Sequence, residues 1–266
     1  MDEKCANGIM RVQRRIFLGL LGGLCCAGVD SSLLGQESQE HPLVPALALA
    51  RQSLAELQKV QDYEATFTKR EWVGQQFVVQ SMYMKLREQP FSVYLKFNEP
   101  NAGREILYVK GQNQNMLLAH EGRGIASLLG TVSLPLNDEK IRAENRYPIT
   151  DIGMRRILEL LIERWEKEAM YGEIEVKYFP NAKLGNIACE VVEASHPTPR
   201  NQFPFHITRM YLDQQTRYLV RVENFAFPRK PGEAPAVVEE YTFTNVRVNR
   251  GFTDADFDRR NKAYSF

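Results

Sequence analysis

The chain has few cysteines: four in 266 residues, three of them (Cys5, Cys25, Cys26) within the first 26. If that leading stretch is removed, Cys189 stands alone, no internal disulfide can form, and stability must come from a packed core. Cys189 lies in the strand-like run "IACEVVEA" and reads as a small buried hydrophobe. Charge of one sign is also absent. Lys and Arg number 34 against 33 Asp and Glu, so the chain lacks the field expected of a nucleic-acid binder. No apolar run reaches the roughly 20 residues of a membrane-spanning helix, so no transmembrane span is expected in the mature chain. The four histidines, His41, His120, His196 and His206, are not set at metal-ligand spacing. Serine-hydrolase elbow, zinc-protease helix, phosphate loop and dinucleotide fingerprint are missing. We therefore expect no enzyme, metal or cofactor; a hydrolase would need His120 or His206 to meet a carboxylate and a nucleophile in space. The triplet Asp254, Asp256 and Asp258 is followed by Arg259-Arg260, where a calcium loop needs glycine and a later glutamate. Asp254 is expected to cap a short turn, with Phe252, Phe257, Tyr264 and Phe266 anchoring the tail.

What is present begins with an address. In "MRVQRRIFLGLLGGLCCAGV" (residues 10–29), Arg11, Arg14 and Arg15 precede an apolar run from Ile16. That is the basic and apolar order of a secretory signal, so residues 1–35 are expected to be a signal peptide. The Arg14-Arg15 pair before Ile16-Phe17-Leu18 suits the twin-arginine route, although Gly19 replaces the usual lysine; a Sec signal is the alternative. Met10 makes a cleaner start than Met1, because "MDEKCANGI" adds acids that such signals avoid. Leu24 beside Cys25 is a poor lipidation box, so a lipid anchor is not expected. The expected location is the periplasm or cell envelope.

Residues 36–44 read as a linker. From Pro45, Leu47, Ala50, Leu54 and Leu57 recur at helical spacing. The period then changes to two, with Tyr63, Ala65 and Phe67 on one face and a turn at Gly74-Gln75. "FVVQSMYMKLR", "NMLLAH" and "ASLLGTVSLPL" continue as strands of an antiparallel meander. In "YPITDIGMRRILELLIERWEKEAM", Thr150 or Asp151 is expected to cap a helix with Ile157, Leu158, Leu161, Ile162 and Trp165 as its apolar stripe. Five further strands follow, with a hairpin at Gln214-Gln215-Thr216. The expected class is α+β, with one domain over residues 45–266.

The stretch "QPFSVYLKFNEPNAGREILYVKG" alternates Phe91, Val93, Leu95 and Phe97 against Ser92, Tyr94 and Lys96, then turns into a second strand. With Met82 and Met84, these large or flexible side chains suit the lining of an apolar ligand cavity. They suit a filled core equally. Arg104 and Glu105 follow the turn as a candidate polar rim, or as a solvated ion pair.

That stretch, the later "YPITDIGMRRILELL" and the ending "GFTDADFDRRNKAYSF" together resemble a bacterial family known as domain of unknown function 1571. The element order resembles the lipoprotein carriers of the LolA/LolB type. That resemblance implies a large curved antiparallel sheet, a half-open barrel of about eleven strands, with helices packed across its concave face over an apolar cavity. The function so implied is an exported, non-catalytic protein binding a lipid or lipoprotein acyl chain. The alternatives are an envelope scaffold with a filled core and, more remotely, a hydrolase.

Overall fold

The computed structural model describes residues 40–266, so the signal-like segment, Arg14-Arg15, Met10 and Cys5, Cys25 and Cys26 lie outside the described residues. The first helix, α1 (Leu43–Leu57), starts two residues before the expected Pro45. Proline is tolerated in a first helical turn, where its missing N–H has no intrahelical partner. The Leu43 N–H is taken instead by His41 Nδ1 at 3.2 Å.

Eleven strands form one antiparallel sheet. They are β1 (Asp62–Val73), β2 (Gln76–Arg87), β3 (Ser92–Glu99), β4 (Glu105–Val109), β5 (Leu117–His120), β6 (Val132–Leu134), β7 (Glu175–Leu184), β8 (Ile187–Ser195), β9 (Ile207–Asp213), β10 (Leu219–Phe225) and β11 (Val237–Val248). Their spatial order is 6-5-4-3-2-1-11-10-9-8-7. The chain therefore starts at the middle of the sheet and steps outward to β6. It then crosses to the far edge through α2 (Glu139–Glu144) and α3 (Met154–Glu168), and returns strand by strand until β11 pairs with β1. The 15 residues of α3 span about 22 Å at 1.5 Å each, much of that crossing. The α+β curved sheet with helices across its concave face is the architecture expected.

α1 and α3 pack together over the concave face. Leu43, Leu47 and Leu57 of α1 meet Leu158, Leu161 and Trp165 of α3, above Tyr63, Met84, Leu86, Met210 and Phe243 of the sheet. The start of α3 differs from the expectation. Thr150 and Asp151 lie in a preceding 3-10 turn, and Gly153 caps the helix without a side-chain hydrogen bond. The buried Tyr63 hydroxyl accepts the Met154 N–H at 3.0 Å in its place. Gly153 is required there: at φ +105°, a Cβ would stand 2.7 Å from Leu86 Cδ1.

The tail builds a second core on the other face. Tyr94 is only 2% exposed, packed with Leu107, Val109, Leu118 and Phe257, and its ring stacks on Tyr264 at 3.9 Å. The hairpin from Gln89 thus buries both faces rather than one. Phe252, Tyr264 and Phe266 anchor the tail on the sheet as expected. The turn's cap is Thr253, paired with Asp256 in a capping box; Asp254 instead accepts from Arg87 Nη1 at 2.8 Å.

Candidate functional site

Directly paired residues of neighbouring antiparallel strands share a face, so the concave surface can be read row by row. Phe67 pairs with Met82, and Met82 with Phe97. Leu95 pairs with Ile106, Ile106 with Ala119, and Ala119 with Val132. These two rows floor a partly open cavity of about 640 Å³. Leu129, Leu134, Ile141, Ile149 and Ile157 complete its apolar walls. The space is left because α1 and α3 cover the middle of the sheet, whereas the six-residue α2 beside the cavity has no fully buried residue. A roof that thin cannot fill the floor beneath it.

One end is polar. The next positions along β1 on the same face are Lys69, opposite Gln80 and Tyr241, and Glu71, opposite Glu239. Lys69 is buried; its Nζ donates to Glu71 Oε1 and to the Glu144 carbonyl, both at 2.9 Å, and to the Asn145 side chain. Burial holds its pKa below the usual lysine value, against the pull of Glu71 and Glu144. Glu71 also accepts from the Tyr241 hydroxyl at 2.5 Å and the Arg146 N–H at 3.2 Å. Burial, then the carboxylates of Glu239 and Glu71, push the Tyr241 phenol far above its ordinary value. The Tyr147 phenol, which donates to Glu239 Oε2 at 3.0 Å, is pushed up to about 12, chiefly by burial.

Among the expected lining residues, Met82, Leu95 and Phe97 stand on the cavity wall. Met84 and Val93 lie in the main core, and Phe91 packs against Tyr108 with ring centroids 6.2 Å apart. The pair at the turn is split by the pleat. Arg104 lines the cavity, donating to Glu144 Oε2 at 2.6 Å and Glu121 Oε2 at 3.0 Å, with its guanidinium 5.4 Å from the Phe97 centroid. Burial disfavours its charge, but those carboxylates outweigh burial and raise its pKa. Glu105 points to the opposite face, fully buried, and accepts the Ser265 N–H at 2.8 Å.

The roof was missed in the sequence. "ASLLGTVSLPL" is a 3-10 turn (Ile125–Leu129) followed by a three-residue strand, and the sequence pattern gives no sign of α2. The polar end did leave a signal: the phase of Tyr63, Ala65 and Phe67 runs on to Lys69 and Glu71, charges at inward positions. Among the described residues, no group of three or more His, Cys, Asp or Glu side chains is placed to hold a metal. His206 Nδ1 lies 2.7 Å from the His196 carbonyl, and His120 Nδ1 is buried without a hydrogen-bond partner. His196 Nε2 lies 3.4 Å from Glu168 Oε2, its ring stacked on Phe203. Cys189 is buried, which raises its thiol pKa.

The sequence model of a family described as "Protein of unknown function (DUF1571)" matches residues 60–266. The chain belongs to that family. No curated protein matches the chain. Among solved structures, this DUF1571 chain is similar to the lipoprotein LppX of Mycobacterium tuberculosis, with 13% identity and a TM-score of 0.45, covering 81% of this chain and 100% of that one. LprF of Mycobacterium bovis gives 13%, 0.43, 80% and 97%. A putative outer membrane lipoprotein-sorting protein domain of Vibrio parahaemolyticus gives 12%, 0.37, 80% and 96%. At such identities the likeness is one of general outline, and only the cavity bears on function.

Proposed function

We propose that this chain is an exported, non-catalytic protein that holds an acyl chain, of a lipid or an acylated protein, in the cavity beneath its roof. The cavity itself carries the proposal. Its volume of about 640 Å³ falls within the ~300–1,000 Å³ of small-molecule sites. Met82, Leu95 and Phe97 are the side chains assigned to contact the ligand, with Arg104 at the rim. Lys69, Arg104 and Lys140 balance Glu71, Glu121 and Glu144 around the cavity, so nothing there calls for a charged ligand. Apolar burial suffices energetically. A sixteen-carbon chain at ~0.8 kcal/mol per methylene gains on the order of 10 kcal/mol before ordering costs. A filled-core scaffold has no use for the space. Export rests on the signal-like residues 10–29.

The test is organic extraction of protein purified from the envelope of cells making the full chain, followed by lipid mass spectrometry and titration with a fluorescent fatty acid. Co-purifying lipid and saturable probe binding are expected. Neither lipid nor probe binding would overturn the proposal and leave the scaffold.

A further inference from the structure

We propose that the turn between β5 and β6 docks the protein on a lipid bilayer, with the cavity mouth facing the membrane. The role of this docking rests on the acyl-binding reading above. Ile125, Leu128 and Leu129 are 85%, 84% and 74% exposed, the most exposed large apolar side chains among the described residues. All three lie on one 3-10 turn, and Val132 just beyond it is also exposed. From Gly122 to Asn137 the only charged residue is Arg123. The other side of the same turn is cavity wall, through Ala126 and Leu129.

A bilayer fits this surface better than a folded partner does. A stable protein interface buries about 800 Å² on each side and is centred on Trp, Tyr or Arg anchors. This tip offers one turn of aliphatic side chains around a single arginine. Hydrocarbon accepts such side chains without shape complementarity, and Arg123, whose nearest acid in sequence, Glu121, is paired with Arg104, suits an anionic head-group layer. Continuity adds a second argument. Because Leu129 belongs to both the tip and the wall, insertion sets the mouth against the lipid, and an acyl chain can pass between bilayer and cavity without crossing water.

Flotation of the purified chain with vesicles of phosphatidylcholine, alone or mixed with phosphatidylglycerol, tests the proposal. The wild type is expected to float, more with the anionic mixture. Ile125→Ser with Leu128→Ser is expected to weaken partitioning by about tenfold or more. Neither residue lines the cavity, so that variant should still bind a fluorescent fatty acid in solution, which separates docking from acyl binding. Leu128→Trp should add blue-shifted emission quenched by brominated lipid, whereas Tyr178→Ser with Phe179→Ser, exposed elsewhere, should float like the wild type. Failure of the wild type to float, or equal flotation of Ile125→Ser with Leu128→Ser, would overturn the proposal. So would a lipid-free dimer in sedimentation that this variant abolishes, since the tip would then join two copies. Tip-dependent flotation without any fatty-acid binding would sink the cavity reading and leave the docking standing.

Discussion

Filling the cavity should separate an acyl carrier from a solid scaffold. Ala119 sits on β5 between Ile106 and Val132, with its side chain on the cavity wall. In Ala119→Phe, the added ring takes the room of about four methylenes; at ~0.8 kcal/mol each, a bound chain loses about 3 kcal/mol, on the order of a hundredfold in affinity. The effect on the lipid-free protein has its own sign. In an open cavity the ring buries apolar area and adds up to about 2 kcal/mol. In a filled core it would overpack and cost about 1–3 kcal/mol. Fluorescent fatty-acid titration gives the first quantity, and urea denaturation of delipidated protein gives the second. A variant that binds the probe as tightly as the wild type, or loses stability while failing to bind, would refute the reasoning.

The remaining predictions concern the polar end and the rim. Glu71→Ala leaves the buried Lys69 ammonium without its carboxylate, so a loss of about 3 kcal/mol or more is expected, read as a lower urea midpoint; Lys69→Met in the same background should recover part of it. Burial raises the pKa of Glu239 above its ordinary 4.5. Its stabilising contribution is therefore full below that value and lost as pH rises through the raised one. Glu239→Gln has no such loss, so its stability relative to wild type should climb with pH across that window in urea melts; a flat difference would contradict the assignment. Arg104→Ala breaks pairs whose carboxylates, Glu121 and Glu144, are 34% and 41% exposed and can rehydrate, so about 1 kcal/mol of stability is expected to go. Freed from Arg104, the end of α2 should let the fatty-acid probe dissociate several-fold faster in stopped flow.

Local patterns carried much of the architecture. Period-two alternation marked β1 to β4 and β7 to β11, and period 3.6 marked α1 and α3, because each records which side of an element meets water. Pairing β1 with β11 was beyond such patterns, since that register joins Tyr63 to Val248 across the whole chain. The cap of α3 failed for the same reason: the Tyr63 hydroxyl does the work of Thr150 or Asp151 from a distant strand.

By itself, the sequence determined an α+β chain of alternating strands around two amphipathic helices, the family signature over its last three-quarters, and six candidate lining residues: Met84, Phe91 and Val93, and the three Met82, Leu95 and Phe97. Only the tertiary structure decided that these three meet an open space while Met84 and Val93, on the same face, do not. Alternation assigns a side chain to a face. Whether that face is covered depends on where the helices cross it. Here α1 and α3 cover only part of the middle strands, leaving Phe67 of β1, Met82 of β2, Leu95 and Phe97 of β3, and β4 to β6 beneath α2 and the exposed turn at Ile125–Leu129.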